Sequence, residues 1–426
     1  MRVLMYGWEF PPQITGGLGT ACYGITKSLA KHNVDVLFVV PKAFGNEDKR
    51  FATLQDAGEI PVKYLRSNAG VFWEKVLYKE ISAKLIPYTT PGEYSKKVEE
   101  SVLKSSSGKN PGEPGFLPFS GNYGNDLWNE IERFSMLTAV LAKNEKYDII
   151  HAHDWMTFPA AMEAKKISRK PLVVHIHATE FDRSGRSVNK DIFNIEKTGM
   201  DKADKIITVS NFTKNILVNR YFINPGKIET IHNGVEKSSQ PELHALKSIH
   251  DERIVTFLGR ITYQKGPEYF IEAAYKILKK KSNVRFVMAG SGDLKNSIVK
   301  HVENLGISAR VSFPGFLNGD EIKKLFARTD VFVMPSVSEP FGISPLEALR
   351  SGVPVIISKQ SGVSEVIKHA IKVDHWDTDT LSDAIYGVLN YRTLSNLLKV
   401  KGNNDLNGLE WEKTGKHILD VYKSLV

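Results

Sequence analysis

The stretch DVFVMPSVSEPFGISPLEALRSGVPVIIS, residues 330–358, decides how the chain is read. It opens on a short apolar run, DVFVMPS, and crosses a turn that holds Pro340 and Gly342. A helical pattern, PLEALRSG, follows, and then a second β-branched run, VPVIIS. Short β-branched runs separated by a helical pattern predict parallel strands with helices packed on both faces of the sheet. A glutamate stands on each side of that turn, Glu339 before it and Glu347 in the helical pattern after it, in largely apolar surroundings that packing alone does not call for.

The same alternation extends outward. Upstream stand RIVTFLGR, EYFIEAAYKILKKK, VRFVMAG, DLKNSIVKHVENLG, VSFPGF and DEIKKLFART. The first half repeats it with RVLMYGW, GTACYGITKSLAKHN, VDVLFVVP, YDIIHAHD, PLVVHIHA and DKADKIITVS. Between the halves, the polar segment 236–252 (EKSSQPELHALKSIHDE) reads as a linker. A chain of 426 residues exceeds what one core normally organises. The expectation is therefore two doubly wound α/β domains, 1–235 and 253–410, with a terminal amphipathic helix at 411–426. Residues 45–125 are irregular, and SSSGKNPGEPGFLPFSGNYGND within them reads as a long loop or lid.

Composition narrows the class. The chain is 42% hydrophobic and 25% charged, with a net charge of +9 and no basic stripe interleaved with aromatics, so nucleic acid is not an expected partner. No apolar run approaches the length of a membrane helix, which leaves any membrane association peripheral. The single cysteine, Cys22, cannot close an internal disulfide, and a reducing cytoplasm is the expected compartment.

In open parallel sheets, ligands bind beyond the carboxyl ends of the strands. In the second half these ends carry Arg260 and Lys265, then Gly290 to Asp293, then Ser336 and Glu339 to Gly342, then Ser361 to Val363. Cations, glycines and a carboxylate on consecutive loops suit a nucleoside diphosphate. The first half places Gly16-Gly17-Leu18-Gly19 between its first strand and helix, a turn that offers amides to an anion. It is not G-x-G-x-x-G, and no acidic residue closes the second strand, so a dehydrogenase reading is weak. The pairs His151/His153 and His175/His177 each face one side of a strand. They suit either a metal site or a cleft approached by His153 and His177, and the cleft reading is preferred because no further ligand cluster follows.

These residues resemble the retaining glycosyltransferases of the GT-B fold, the group that contains family 4 and the glycogen and starch synthases. The resemblance rests on PPQITGGLG, HAHDW, VVHIHATE, IHNGVE, FLGRITYQKG, MAGSGD, PGFL, MPSVSEPFGISPLEALRSGVPVI and WEKTGKHILDVYKSL. Arg260 and Lys265 followed by E-x7-E is its most specific part. It implies two Rossmann-like domains facing across a deep cleft, with the terminal helix crossing back to the first. It also implies transfer of a hexose, glucose foremost, from ADP-glucose or UDP-glucose to a glucan or a lipid-linked acceptor, without cofactor or metal.

By position, the resemblance assigns the donor diphosphate to Arg260, Lys265, Gly17, Gly342 and Ile343. The donor sugar falls to His177, Glu339, Phe341 and Gly342, with His177 and Glu339 as the catalytic pair. Glu347 falls to the ribose, and Asp154 and Trp155 to the acceptor side. The synthases carry a lysine just before the two glycines, in K-x-G-G-L, where this chain has Ile14.

Overall fold

A computed structural model describes residues 1–12, 16–60, 119, 127–185, 187–236 and 252–426. Most of the irregular stretch 45–125, Ile14 and nearly all of the expected linker 236–252 lie outside the described residues.

Two parallel sheets carry the fold. The first has seven strands: β1 (Arg2–Tyr6), β2 (Asp35–Val40), β3 (Thr53–Asp56), β4 (Ile149–His153), β5 (Leu172–Ile176), β6 (Lys205–Thr208) and β7 (Ile228–Thr230). The second has six: β8 (Arg253–Leu258), β9 (Val284–Ala289), β10 (Val311–Gly315), β11 (Val331–Met334), β12 (Val355–Ser358) and β13 (Ile371–Val373). Their orders, β3-β2-β1-β4-β5-β6-β7 and β10-β9-β8-β11-β12-β13, follow one rule. The chain steps outward from a first strand, then returns to that strand's other side and steps outward again, as in the doubly wound fold. The order reverses between β1 and β4, and again between β8 and β11.

The second sheet shows why its strands read as unbroken apolar runs. Val331 and Val333 of β11 pack into one core, with Phe257, Phe270 and Phe286, while Phe332 and Met334 pack into another, with Leu346 and Val363. Ile356 and its neighbours Val355 and Ile357 on β12 divide in the same way. Alternate side chains leave opposite faces of a strand, and both faces are covered. The helix Pro267–Lys280 buries Phe270, Ile271, Ala274 and Ile277, a helical spacing; it starts on a proline and ends on Lys279 and Lys280.

The described chain divides into two compact units. One comprises Met1–His175, Ile195–Ile206 and Asp420–Val426; the other comprises Ile176–Asn194 and Ile207–Leu419. His177 thus belongs to the second unit. The terminal helix, Trp411–Lys423, gives its last residues to the first. Its Tyr422 is fully buried there, and the phenol bonds His151 Nδ1 on β4.

Candidate active site

The loops that leave β8 and β11 lie beside each other at the reversal of strand order in the second sheet. That is where such sheets take ligands. Beyond β8 the chain runs through Arg260 into a tight turn, Tyr263–Lys265, closed by Gly266 at φ +63°. A Cβ on Gly266 would stand 2.2 Å from the carbonyl oxygen of Pro335. Glycine is what lets the turn lie against the end of β11. The Val337 N–H then donates to Gln264 O at 2.9 Å and joins the two loops.

This approach brings Lys265 onto Glu339. Lys265 Nζ donates to Glu339 Oε2 at 2.5 Å, and Ser336 Oγ donates to the same oxygen at 3.2 Å. Glu339 is buried and also sits in the backbone, its N–H donating to Gln360 O at 2.9 Å. A buried carboxylate of this kind is stable only with partners of opposite charge or good donors. Arg260 differs: it is exposed, and its guanidinium makes no bond among the described residues. Phe341 is buried, Gly342 takes φ +102°, and Ile343 precedes the short helix Ser344–Arg350. Among the described residues, the backbone N–H groups of Phe341, Gly342 and Ile343 donate to no acceptor.

Glu347 lies in the first turn of that short helix and keeps some solvent contact. No described residue bonds its carboxylate, and burial raises its pKa. A partly dehydrated carboxylate without a partner costs free energy, and such groups concentrate at binding sites.

His177 follows β5. It keeps some exposure, yet loss of hydration pushes its pKa down to about 3, so the ring is neutral near pH 7. The unfolded chain takes up a proton at this residue below about pH 6.5, while the folded one does not. His177 therefore favours folding fully above that pH, and the contribution fades as pH falls toward 3. Urea midpoints at pH 7 and pH 5 should fall less for His177→Asn than for the native protein; an equal fall would rule out this source.

The segment that follows His177 is tied to the Glu339 loop by contacts no local pattern announces. Thr179 and Asp182 form a capping box on the helix Glu180–Ser184. Asp182 Oδ2 accepts from Thr179 N and Oγ1, each at 2.7 Å. Its other oxygen, Oδ1, accepts from Ser338 Oγ at 2.5 Å, across 156 residues of sequence. Burial raises the Asp182 pKa, opposed by the Ser338 and Thr179 bonds. Neither contact was read from the sequence; the spacing T-x-x-D is a signal for the cap, whereas the bond to Ser338 had no signal in the sequence.

The remaining expected residues belong to the first unit. Gly17 begins the helix Gly17–Lys31, exposed, with no side-chain cap and no acidic residue in its first turn. Asp154 and Trp155 follow β4; both are buried, with Asp154 at φ +59° and Trp155 against Trp128 at 5.3 Å between centroids. The histidines correct one expectation. His153 does not reach a cleft: His151, His153 and His175 are all fully buried, with ring centroids 4.4 to 5.4 Å apart. Two-residue spacing does put His151 and His153 on one side, and that side faces the interior. The three offer ligand atoms within 4.8 Å of one another. Their rings lie within 8° to 30° of parallel.

Comparison with known proteins points to one family. The family model described as "Glycosyl transferases group 1" matches residues 239–403, and "Glycosyltransferase Family 4" matches 99–239. An uncharacterised glycosyltransferase of Methanocaldococcus jannaschii is 30% identical over 99% of this chain and 98% of its own length. The glycogen synthase of Mycobacterium tuberculosis is 25% identical over 86% of this chain and 80% of its own. An Escherichia coli galactosyltransferase, named for UDP-Gal and an α-D-GlcNAc-diphosphoundecaprenol acceptor, is 28% identical over 67% of this chain and 78% of its own. Among solved structures, sucrose-phosphate synthase from Thermosynechococcus elongatus superposes with a TM-score of 0.74 at 17% identity, covering 100% of this chain and 98% of that one.

Proposed function

The chain belongs to the group 1 glycosyltransferases, enzymes that transfer sugars, and from that membership we propose that it moves glucose from a nucleoside diphosphate sugar to a growing α-glucan with retention at the anomeric carbon. One observation carries the reading. Arg260 and the Lys265–Glu339 pair stand on the loops that leave the carboxyl ends of β8 and β11, and the unpartnered Glu347 stands in the first turn of the helix that follows the second of these loops. The glucan acceptor is supported by the long match to a glycogen synthase. The E. coli galactosyltransferase supports a second reading, in which the acceptor is a lipid-linked diphosphate sugar.

In the proposed reaction the bond from C1 to the diphosphate oxygen breaks and a bond from C1 to the acceptor oxygen forms. The acceptor proton passes to the departing phosphate. Negative charge grows on the leaving diphosphate, and its stabilisation is the main electrostatic task. Arg260 and Lys265 supply fixed positive charge, helped by the N–H groups of Gly342 and Ile343, and no metal is needed. Gly17 approaches the diphosphate, and Asp154 and Trp155 serve the acceptor. Phe341 and Gly342 meet sugar hydroxyls through their backbone. Glu339, bonded to a lysine and a serine, orients and balances charge near the sugar; it is not a free nucleophile. His177, neutral, hydrogen-bonds the sugar.

A screen of ADP-glucose, UDP-glucose and GDP-mannose against glycogen, a maltooligosaccharide and a lipid extract tests the reading. Glucan elongation from a glucose donor, unchanged by a chelator, is the expected result. Transfer to the lipid extract alone selects the second reading. Activity lost to the chelator and restored by a divalent ion overturns the metal-free mechanism.

Glu347 is assigned to the donor ribose. Glu347→Ala should raise the donor KM about tenfold while kcat changes little, as expected when a charged hydrogen bond made equally in ground and transition states is lost. A fall in kcat at unchanged KM would remove Glu347 from that role.

A further inference from the structure

The amino ends of β8 and β11 border a feature that the transfer reaction does not use. A cavity of about 330 Å3 opens there, lined among others by Arg253, Asp330, Arg392, Ser395, Asn396 and Lys399. β8 spans six residues. At about 3.3 Å per residue, its length sets the cavity roughly 20 Å from the loop that carries Arg260.

Three cations line the cavity against a single carboxylate, and that carboxylate is already engaged. Asp330 accepts from Arg253 Nη1 at 3.0 Å on one oxygen and from the Ile254 N–H at 2.9 Å on the other. Helix Arg392–Asp405 supplies the facing wall. Its positions 392, 395, 396 and 399 follow i, i+3, i+4, i+7 and so share one face. Each carries a hydrogen-bond donor. Leu394 and Leu398, on another side of the helix, pack into the core. The helix is therefore amphipathic, but its polar stripe lines a concavity and holds no acid. Arg392 is exposed, and its guanidinium makes no bond among the described residues. At the rim, Asn390 accepts from Lys281 Nζ at 2.9 Å and donates to Tyr386 O at 2.8 Å, which brings a fourth cation near the opening.

Ordinary solvated lysines and arginines project from convex helix faces, where water screens them. Here three cations line one partly open concavity together with a hydroxyl and an amide, and the first turn of a 14-residue helix adds its positive end. Val388 and Leu389 add an apolar wall. We propose that this cavity binds a phosphate monoester of a small sugar. Arg392 and Lys399 hold the phosphate, Ser395 and Asn396 bond hydroxyls, and the ring lies against Val388 and Leu389. The site is separate from the donor site and does not depend on the transfer reading.

Calorimetric titration of the full chain tests it, with the donor site filled by saturating UDP or ADP. The probes are glucose 6-phosphate, glucose 1-phosphate, inorganic phosphate and glucose. One sugar phosphate should bind at one equivalent, inorganic phosphate more weakly, and glucose not at all. Arg392→Gln with Lys399→Gln should weaken binding about tenfold or more, whereas Lys265→Ala should leave it unchanged. Should the double variant unfold, Arg392→Gln alone carries the comparison, since that side chain is exposed and unbonded. Equal binding of inorganic phosphate overturns the sugar part of the assignment. No binding, or binding lost in Lys265→Ala and kept in the double variant, overturns the site.

Discussion

Lys265→Ala should lower sugar transfer by about a hundredfold to a thousandfold, the usual effect of removing one preorganised group that stabilises charge in a transition state. Lys265 is two-thirds or more enclosed, at 21% side-chain exposure, and its partner Glu339 is at 7%. In so dry a setting a single positive charge acts on the leaving diphosphate with little screening. The substitution has a second effect, because Glu339 keeps its negative charge with Ser336 as its remaining side-chain donor. Breaking a buried pair from one side costs about 3–5 kcal/mol, most of it from the charge left behind. Activity and stability can be separated through the double variant. Lys265→Ala with Glu339→Gln should recover much of the lost stability in urea unfolding and none of the lost transfer. A single variant with near-native kcat/KM would remove Lys265 from the catalytic machinery. A double variant no more stable than the single one would show that the pair does not hold the loops.

Gly290→Ala should be the most damaging small substitution in the second unit. Gly290 adopts φ +139°, a conformation L residues rarely enter, and its N–H donates to Gly315 O at 2.7 Å. A Cβ there would stand 1.9 Å from Gly259 O and 2.9 Å from Gly259 C. Gly259 immediately precedes Arg260 and itself donates to Ala289 O at 3.0 Å. The added methyl has to push the end of β8 away from β9 and carries Arg260 with it. Backbone strain and overpacking together should cost about 3–5 kcal/mol. Transfer should fall along with stability. Gly306→Ala provides the contrast, since Gly306 also has positive φ, at +69°, but an added Cβ meets nothing within 4 Å. That variant should lose only about 1 kcal/mol, from backbone strain alone. Similar urea midpoints for the two variants would mean that the close approach at Gly259 does not matter.

Much of this was readable before any contact was known. The unbroken apolar runs of β11 and β12 could satisfy neither a half-exposed strand nor a hairpin, so they implied a covered parallel sheet. Loops beyond strand ends were expected to carry the ligand groups; Arg260, Lys265 and Glu339 stand on such loops, and Glu347 in the helix that follows. The histidines show the limit of the same logic. Spacing put His151 and His153 on one side of β4, but whether that side met solvent depended on what packed there, and every residue of β4 is buried, with Tyr422 from the far end of the chain against His151.

Strand type and helix faces are local properties, set by periodicity within a few residues, so the amino-acid order alone was enough to establish them. Pairings across long separations are of another kind. Lys265 meets Glu339 over 74 residues and Ser338 meets Asp182 over 156, and the free energy of those contacts depends on burial that exists only after the sheet has formed. For the same reason the grouping of His177 with the second unit, and the cation-lined cavity at the amino ends of β8 and β11, emerged only from the folded chain. A lysine or a carboxylate has the same chemistry anywhere in the sequence. What it does is decided by the water it loses and the partner that replaces it.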